Sequence, residues 1–297
     1  MQQRQLGKQG DEVSVIGFGA WPIGGGMGTM EEREAVRTVH AAIDAGITLI
    51  DTAQAYRDSE AFLGRALSGG KREKVFLATK ASFDFSPRGI RTALEQSLRA
   101  LKTDVVDLYQ IHSWKEAYPV EESMGELVRL KAEGKLRYIG VSNYTVDQMK
   151  RASAVARVDS TQPRYNLFDR EIEHGVIDYC GREGIGILAH SVFAKGLLTG
   201  KYTSASVFAP DDERSTMPRF RGEELRSFLA RAERLKSIAD EIGATLVQLA
   251  IAWVIRKPEV TCALAGAKSP EQIAEQVRGA EIALSSEMLK RIDEAIK

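Results

Sequence analysis

Eight short runs of β-branched and apolar residues alternate along this chain with longer segments of helical periodicity. This order predicts a parallel sheet, because a helix returns the chain across the sheet before each new strand. The predicted strands span residues 15–18, 47–50, 75–79, 105–111, 137–141, 159–162, 185–189 and 261–265. The predicted helices span residues 31–45, 59–67, 89–101, 121–133, 146–154, 171–182, 225–257 in two pieces, and 270–278.

Eight such units close most simply into a (β/α)8 TIM barrel, an α/β fold. No linker rich in Pro, Gly or Ser divides the sequence, so we expect a single domain over residues 1–297. Two regions depart from the repeat: a long insertion at residues 200–221 after the seventh strand, and an extra helix at residues 284–297. A long loop at the carboxyl end of a barrel strand is a usual place for a lid or cofactor clamp.

Charge and hydropathy narrow the possible partners. The sequence has 41 Lys plus Arg and 41 Asp plus Glu, so no net charge attracts nucleic acid or an anionic membrane surface. It contains no run of 18 apolar residues and no apolar leader, and Cys180 and Cys262 lack metal-ligand spacing. We therefore expect a cytoplasmic protein without a metal, a monomer or weak homo-oligomer, whose partner is a small neutral molecule.

Three neighbouring strands are followed by polar side chains. Asp51 follows the second strand, Lys80 the third and His112 the fourth. Tyr56 lies in the loop just after Asp51. Adjacent strands lie about 4.8 Å apart, so these groups should converge at the carboxyl rim, where TIM barrels place their active sites. Singly, Asp51 could cap a turn, Lys80 could be solvated and Tyr56 could pack in the core; together they indicate a site.

The four residues suit proton transfer to a carbonyl. An ammonium beside a phenol favours the phenolate, so we expect Lys80 to lower the pKa of Tyr56 from about 10. A buried ammonium needs a carboxylate partner, which is the role predicted for Asp51. The result is a proton donor beside the His112 imidazole, suited to protonating a carbonyl oxygen while hydride reaches the carbon. Side chains cannot supply hydride, so this chemistry requires a reduced nicotinamide.

Seven motifs give the chain a family resemblance: "IGFGAW", "IDTAQAY", "FLATK", "DLYQIH", "IGVSNY", "TQPRYN" and "GLLTGKY", in this order. Between about residues 6 and 281 the sequence resembles the aldo-keto reductases, and "GFGAWPIGGG" and "AGAKSPEQ" resemble their bacterial, non-steroid branch. The resemblance implies an oxidoreductase that reduces aldehydes or ketones to alcohols. It also implies a catalytic tetrad with Tyr56 as general acid, composed of Asp51, Tyr56, Lys80 and His112.

The resemblance also implies where the cofactor and substrate bind. Ser142, Asn143 and Gln162 match positions that hold the nicotinamide carboxamide; a helix N-cap is a second role open to Ser142 and Asn143. The implied cofactor-binding residues are Gly19, Ala20, Trp21, Asp51, Ser142, Asn143, Gln162, His190, Ser191, Phe193, Lys195, Gly196, Gly266, Ala267, Lys268, Ser269, Gln272 and Gln276. The implied substrate-binding residues are Trp21, Tyr56, His112 and Trp114.

Two further segments match the family's binding sites for the phosphates of the cofactor. The expected pyrophosphate donors are backbone amides around Ser191, Phe193 and Gly196. Lys268, the Ser269 hydroxyl and the helix that follows form an anion site suited to the adenosine 2′-phosphate, which predicts NADPH in preference to NADH, with NADH possible. An ordinary capped helix is the alternative. Three positions depart from the family pattern: His190 replaces an aromatic residue, usually tyrosine, Val192 replaces a usual proline, and Gln272 stands where many NADPH-dependent relatives carry arginine.

Two other functions are compatible with a barrel. The protein could be a cofactor-binding regulatory subunit or sensor with little catalysis, although an intact tetrad argues against this. A barrel glycosidase needs two carboxylates across its pocket, and the strand ends offer Asp51 alone. The sequence therefore favours an NADPH-dependent reductase of small carbonyl compounds.

Overall fold

Eight parallel strands close into a barrel in the computed structural model, which describes residues 1–210 and 212–297. The described residues contain ten strands in all, which are β1 (Gln3–Gln5), β2 (Glu12–Ser14), β3 (Ile16–Gly19), β4 (Leu49–Asp51), β5 (Phe76–Ala81), β6 (Val106–Ile111), β7 (Leu136–Ser142), β8 (Ser160–Gln162), β9 (Gly186–Ala189) and β10 (Val260–Ala265). Strands β3 to β10 each pair in parallel with the next, and β10 pairs with β3 to complete the circle. The predicted (β/α)8 barrel is confirmed.

The first two strands form an antiparallel hairpin that was not predicted from the sequence. Each has only three residues, which is too short for the alternation of a strand to be recognised. Leu6 and Val13 of this segment are fully buried and pack with Leu49 and Phe76 in the interior of the barrel. The hairpin therefore closes the amino end of the barrel and leaves the carboxyl end open.

Helices connect the barrel strands. They are α1 (Glu32–Asp44), α2 (Ser59–Ala66), α3 (Pro87–Leu101), α4 (Val120–Ala132), α5 (Val146–Ser153), α6 (Val176–Glu183), α7 (Gly222–Glu241), α8 (Leu246–Ile255), α9 (Pro270–Val277) and α10 (Ser286–Ala295). The helix predicted over 171–182 is wrong at its start. A 3-10 turn spans Glu171–Glu173, and Gly175 then takes a φ of 106°, which interrupts the helical path before α6.

Two hydrophobic layers support the site. Inside the barrel, Leu49, Ala78, Leu108 and Leu188 pack with Cys262 beneath the carboxyl rim. A second, larger layer lies between the outer faces of the strands and the helices. Because apolar side chains fill the lower part of the barrel, the polar side chains at the ends of the strands lie above a closed floor.

The described residues of the insertion, 200–210 and 212–221, run largely without regular structure, as predicted, with short 3-10 turns at Glu213–Thr216 and Pro218–Phe220. Tyr202, Phe208 and Phe220 contact one another edge to face, with ring centroids 5.2 to 6.2 Å apart. This aromatic cluster gives the insertion a small core of its own. Over the part of the chain that is described, no single helix is long and apolar enough to cross a membrane; α7 and α8 reach that threshold only as a pair bent by 89°.

Candidate active site

A cavity of about 610 Å³ lies at the carboxyl ends of the barrel strands, a volume typical of cofactor and substrate sites. The predicted site residues that line it are Gly19, Trp21, Asp51, Tyr56, His112, Gln162, His190, Ser191, Phe193, Lys195, Gly196, Gly266, Ala267, Lys268, Gln272 and Gln276. Predicted site residues outside this lining are Ala20, Lys80, Ser142, Asn143, Ser269 and Trp114. Fold closure thus brings residues from distant parts of the sequence to one cavity.

Lys80 lies at the centre of the predicted tetrad. Its side chain is fully buried, although it projects from the inner face of β5 rather than from the loop after the strand. Nζ donates to Asp51 Oδ1 at 2.5 Å, to Thr52 O at 2.8 Å and to Tyr56 Oη at 3.4 Å. The ammonium therefore has a carboxylate partner on one side and the phenol on the other, as the sequence predicted.

The net effect on Tyr56 differs from the sequence prediction. Burial raises the pKa of the Tyr56 phenol above its ordinary value, and Lys80 offsets this rise only in part. For Lys80, burial acts to lower the pKa, but Asp51 and Tyr56 together raise it. The expected lowering of the Tyr56 pKa was wrong, because burial of the phenol outweighs the attraction of the Lys80 ammonium. Both groups consequently hold their protons at neutral pH, so Tyr56 is available as a proton donor.

Two glutamine amides hold the second oxygen of Asp51. Gln162 Nε2 and Gln110 Nε2 donate to Asp51 Oδ2 at 2.9 and 3.1 Å, and Gln162 Nε2 also lies 3.2 Å from Gln110 Oε1. All three side chains project into the barrel from β4, β6 and β8, and Gln110 is fully buried. Gln110 had no predicted role, although its inward position two residues before His112 could have been inferred from the period of the strand.

The His112 imidazole is neutral, and one of its two nitrogens is hydrogen bonded to a neighbouring side chain. Its Nδ1 lies 2.8 Å from Ser82 Oγ, and its ring centroid lies 5.7 Å from that of Tyr56. Burial, with a smaller contribution from Lys80, lowers the pKa of the imidazole from 6.5 to about 3. A neutral imidazole can donate only one hydrogen, so the bond at Nδ1 determines what the other nitrogen offers to the cavity.

The predicted nicotinamide residues are already hydrogen bonded to one another. His190 Nε2 lies 2.9 Å from Asn143 Oδ1, and Asn143 Nδ2 donates to Ser142 Oγ at 3.0 Å. Burial, followed by nearby Lys80, lowers the pKa of His190 to about 3, so this imidazole is neutral too. The alternative role of Ser142 and Asn143 as a helix cap is wrong: Thr145 caps α5 through a capping box with Gln148.

The loop after β9 and the insertion meet across the cavity. Glu213 Oε1 accepts from Lys195 Nζ at 2.6 Å and from Trp21 Nε1 at 2.9 Å, which connects three segments. Lys195 itself has a left-handed φ of 56°, and Gly196 follows with 101°. The Gly196 amide, predicted as a pyrophosphate donor, donates instead to Phe193 O at 2.8 Å in this conformation.

Positively charged side chains lie in the part of the protein around Lys201 and Lys268, which line the cavity. Lys268 Nζ lies 3.1 to 3.3 Å from three backbone carbonyl oxygens of residues 27–29. Burial and then Arg214 lower the pKa of Lys268, and burial, Arg214 and Lys268 lower that of Lys201. Mutual repulsion of this kind favours an anion between them. Ser269 caps α9 by accepting from the Gln272 amide, so its hydroxyl also has the alternative role of an ordinary helix cap.

The part of the cavity predicted to hold the substrate is aromatic. The rings of Trp21 and Tyr56 meet edge to face with centroids 5.0 Å apart, and both line the cavity. Trp114 was predicted to contact substrate, but it is not one of the lining residues. Its indole instead packs edge to face on Tyr144 and donates to Glu116.

Other lining residues had no sequence prediction: Pro22, Met27, Ala55, Arg164, Val192, Thr199, Lys201, Glu213, Val247, Leu264 and Glu275. Lys201 and Glu213 lie in the insertion predicted as a lid or clamp, so the segment was identified without its individual residues. An irregular loop has no period from which inward-facing positions can be inferred.

Comparisons with known proteins agree on one family. The sequence profile of the Aldo/keto reductase family matches residues 15–297. The chain is 38% identical to the Aldo-keto reductase YhdN of Bacillus subtilis over 287 residues, which cover 92% of this chain and 87% of that one. It is 33% identical to the Probable aldo-keto reductase 1 of Glycine max over 309 residues, covering 100% of this chain and 89% of that one. The solved structure of the glycerol dehydrogenase AKR11B4 from Gluconobacter oxydans superposes with a TM-score of 0.89 at 35% identity, covering 99% and 94% of the two chains.

Proposed function

Because the chain belongs to the aldo-keto reductase family, an oxidoreductase family that uses nicotinamide cofactors, we propose that it is an NADPH-dependent carbonyl reductase with Tyr56 as general acid. The observation that carries this proposal is the buried hydrogen-bonded chain from Asp51 through Lys80 to Tyr56 at the wall of the cavity. A structural ion pair alone would not require a phenol at its cavity end.

The residues lining the cavity fit a dinucleotide. Gln276 lines the cavity and is 3% exposed, and its buried Oε1 has no hydrogen-bond partner among the residues that are described, so an unsatisfied acceptor lies beside the cavity. Lys195, Lys201 and Lys268 line the same cavity and provide charge for phosphates. His190 and Gln162 lie near the tetrad and would contact the nicotinamide, which when bound in its reduced form supplies hydride to the carbonyl carbon.

The side chains of the tetrad then handle the proton. Tyr56 donates its hydroxyl proton to the carbonyl oxygen as negative charge develops there. Lys80 stabilises the phenolate that remains, since its fully buried ammonium is 3.4 Å from the oxygen. Asp51 keeps the ammonium charged and oriented, and His112 hydrogen bonds to the substrate oxygen from the adjacent strand. In the reverse direction, with an oxidised nicotinamide as hydride acceptor, the same groups would take up the hydroxyl proton of an alcohol; alcohol oxidation is the direction that gives the similar glycerol dehydrogenase of Gluconobacter oxydans its name.

The cluster of Lys201, Arg214 and Lys268 supports NADPH as the preferred cofactor. The pKa values of Lys201 and Lys268 are lowered by burial and then by neighbouring cations, and a bound 2′-phosphate would remove that repulsion. NADH has no charged group to place there. Arg214 is already paired with Asp212, but NADH would leave Lys201 and Lys268 without a phosphate partner, so it should bind more weakly than NADPH.

Replacing Tyr56 by Phe tests the assignment. The variant keeps the aromatic packing on Trp21 and loses only the hydroxyl, so the general-acid contribution, typically about 10²- to 10⁴-fold, should disappear from kcat. The measurement is the loss of NADPH absorbance with a reactive aromatic aldehyde, alongside NADPH binding by fluorescence. Equal turnover by wild type and variant would exclude Tyr56 as the donor. NADPH binding without turnover by the wild type would favour a regulatory subunit instead.

A further inference from the structure

Ser82 lies in contact with a catalytic residue although no motif assigns it a role. Ala81 pairs with Ile111 at the ends of β5 and β6, so the next residues, Ser82 and His112, lie side by side at the carboxyl rim. Their side chains meet at 2.8 Å, from Ser82 Oγ to His112 Nδ1. The bond occupies Nδ1 and leaves the other ring nitrogen, Nε2, to face the cavity that His112 lines.

The hydrogen bonds around Ser82 define which partner donates. The Ala55 amide donates to Ser82 Oγ at 3.3 Å, so one lone pair of the hydroxyl oxygen is occupied. The single hydroxyl hydrogen can go to His112 Nδ1 at 2.8 Å or to Lys80 O at 3.5 Å. The nearer acceptor gives a normal O–H···N bond, whereas 3.5 Å lies at the limit for a hydrogen bond. The hydrogen therefore goes to Nδ1, and Nδ1 acts as the acceptor.

From this geometry we infer that Ser82 is a positioning residue, which fixes His112 in the tautomer that carries its hydrogen on Nε2, facing the cavity. With the proposed function as its premise, this tautomer lets His112 donate to the substrate oxygen that Tyr56 protonates. The opposite tautomer would present a lone pair to that oxygen and repel it. Ser82 also accepts from the amide of Ala55, next to Tyr56, so it contacts the segments that carry both donors.

Because the His112 imidazole is neutral, its tautomer decides which of its nitrogens can donate a hydrogen bond. The pKa of His112 is about 3, mainly because of burial, so at neutral pH there is no second hydrogen to serve both nitrogens. An imidazolium would donate from either nitrogen without help. A neutral ring needs a partner that selects one, and hydrogen bonds to the nitrogen away from the substrate commonly set the tautomer of functional histidines.

Nitrogen-15 NMR of the unliganded protein tests the inference without any turnover. The protein has four histidines, and His112→Gln identifies the resonances of interest. We expect Nε2 protonated and Nδ1 unprotonated in the wild type, and a mixture of tautomers in Ser82→Ala. A protonated Nδ1 in the wild type, or an unchanged spectrum in Ser82→Ala, would overturn the role of Ser82.

Steady-state kinetics supply the second measurement. Ser82→Ala should lower kcat by about five- to tenfold, the effect of one lost hydrogen bond, with little change in the KM for NADPH. Ser82→Thr keeps the hydroxyl and should restore kcat to within about twofold of wild type. Ser68→Ala, at the surface beyond α2, is the matched control and should behave as wild type. Wild-type kcat in Ser82→Ala would refute the inference, whereas an inactive wild type would refute the proposed function and leave the NMR result decisive for Ser82.

Discussion

Two neutral histidines in the wall of the cavity should make this protein lose stability on mild acidification. Burial lowers the pKa of both His112 and His190 from 6.5 to about 3. In the unfolded chain each would take up a proton near pH 6.5, but in the folded protein only near pH 3. The unfolded state thus binds more protons between these values, so stability present above pH 6.5 is lost progressively as the pH falls toward 3.

The size of the loss follows from the pKa values. At pH 5 each unfolded histidine is about 1.5 pH units below its pKa, and each unit corresponds to about 1.4 kcal/mol. The free energy of unfolding should therefore fall by about 2 kcal/mol per histidine between pH 7 and pH 5, or about 4 kcal/mol for His112 and His190 together. Paired carboxylates such as Glu133 and Glu173, whose pKa values are about 2, lose their contribution mainly below their ordinary value of 4.5. The window from pH 7 to 5 consequently reports on the histidines.

Urea unfolding at pH 7 and pH 5 measures this loss, with tryptophan fluorescence and far-ultraviolet circular dichroism as parallel probes of a single transition. Each of His112→Gln and His190→Gln should remove about 2 kcal/mol of the pH-dependent difference, and the double variant should remove most of it. His174→Gln, at an exposed position, should leave the difference intact. If the double variant lost as much stability as the wild type between the two pH values, these two histidines would not be its cause.

Two further substitutions test the surroundings of the site. Gln110→Leu keeps a similar side-chain volume but removes a hydrogen bond to the buried Asp51 carboxylate. The free energy of unfolding, measured by urea titration, should therefore fall by about 2 kcal/mol. The control Gln96→Leu, at an exposed position, should change it by less than about 0.5 kcal/mol. An unchanged stability in Gln110→Leu would show that the amide does not support Asp51. Lys201→Met should raise the KM for NADPH by about tenfold in steady-state assays and leave the KM for NADH nearly unchanged. Equal effects on both cofactors would place Lys201 away from the 2′-phosphate.

The barrel and the tetrad were predictable because both depend on local sequence periods. A strand that ends in Asp51 or that carries Lys80 is recognisable as a short apolar run within a few residues. Once eight such units are counted, closure into a barrel brings the strand ends together without further information. The hairpin of β1 and β2 and the break at Gly175 were missed, since three-residue strands and a single glycine leave no period to detect.

Electrostatic balance and contacts between distant segments were decided only by the tertiary structure. The sequence showed that Lys80 would stand beside Tyr56, but not that burial would outweigh the cation and raise the pKa of the phenol. That balance depends on distances and on exclusion of water, which no run of neighbouring residues specifies.

The hydrogen bonds of Gln110, Ser82 and Glu213 were likewise decided by the tertiary structure, because their partners are up to 192 residues away along the chain. The sequence determined the kind of fold and the identity of its proposed proton donor, because these follow from short-range pattern and residue chemistry. Folding decided the protonation state of each group and the hydrogen bonds that orient it, because these depend on the depth at which each group is buried and on which segments meet there.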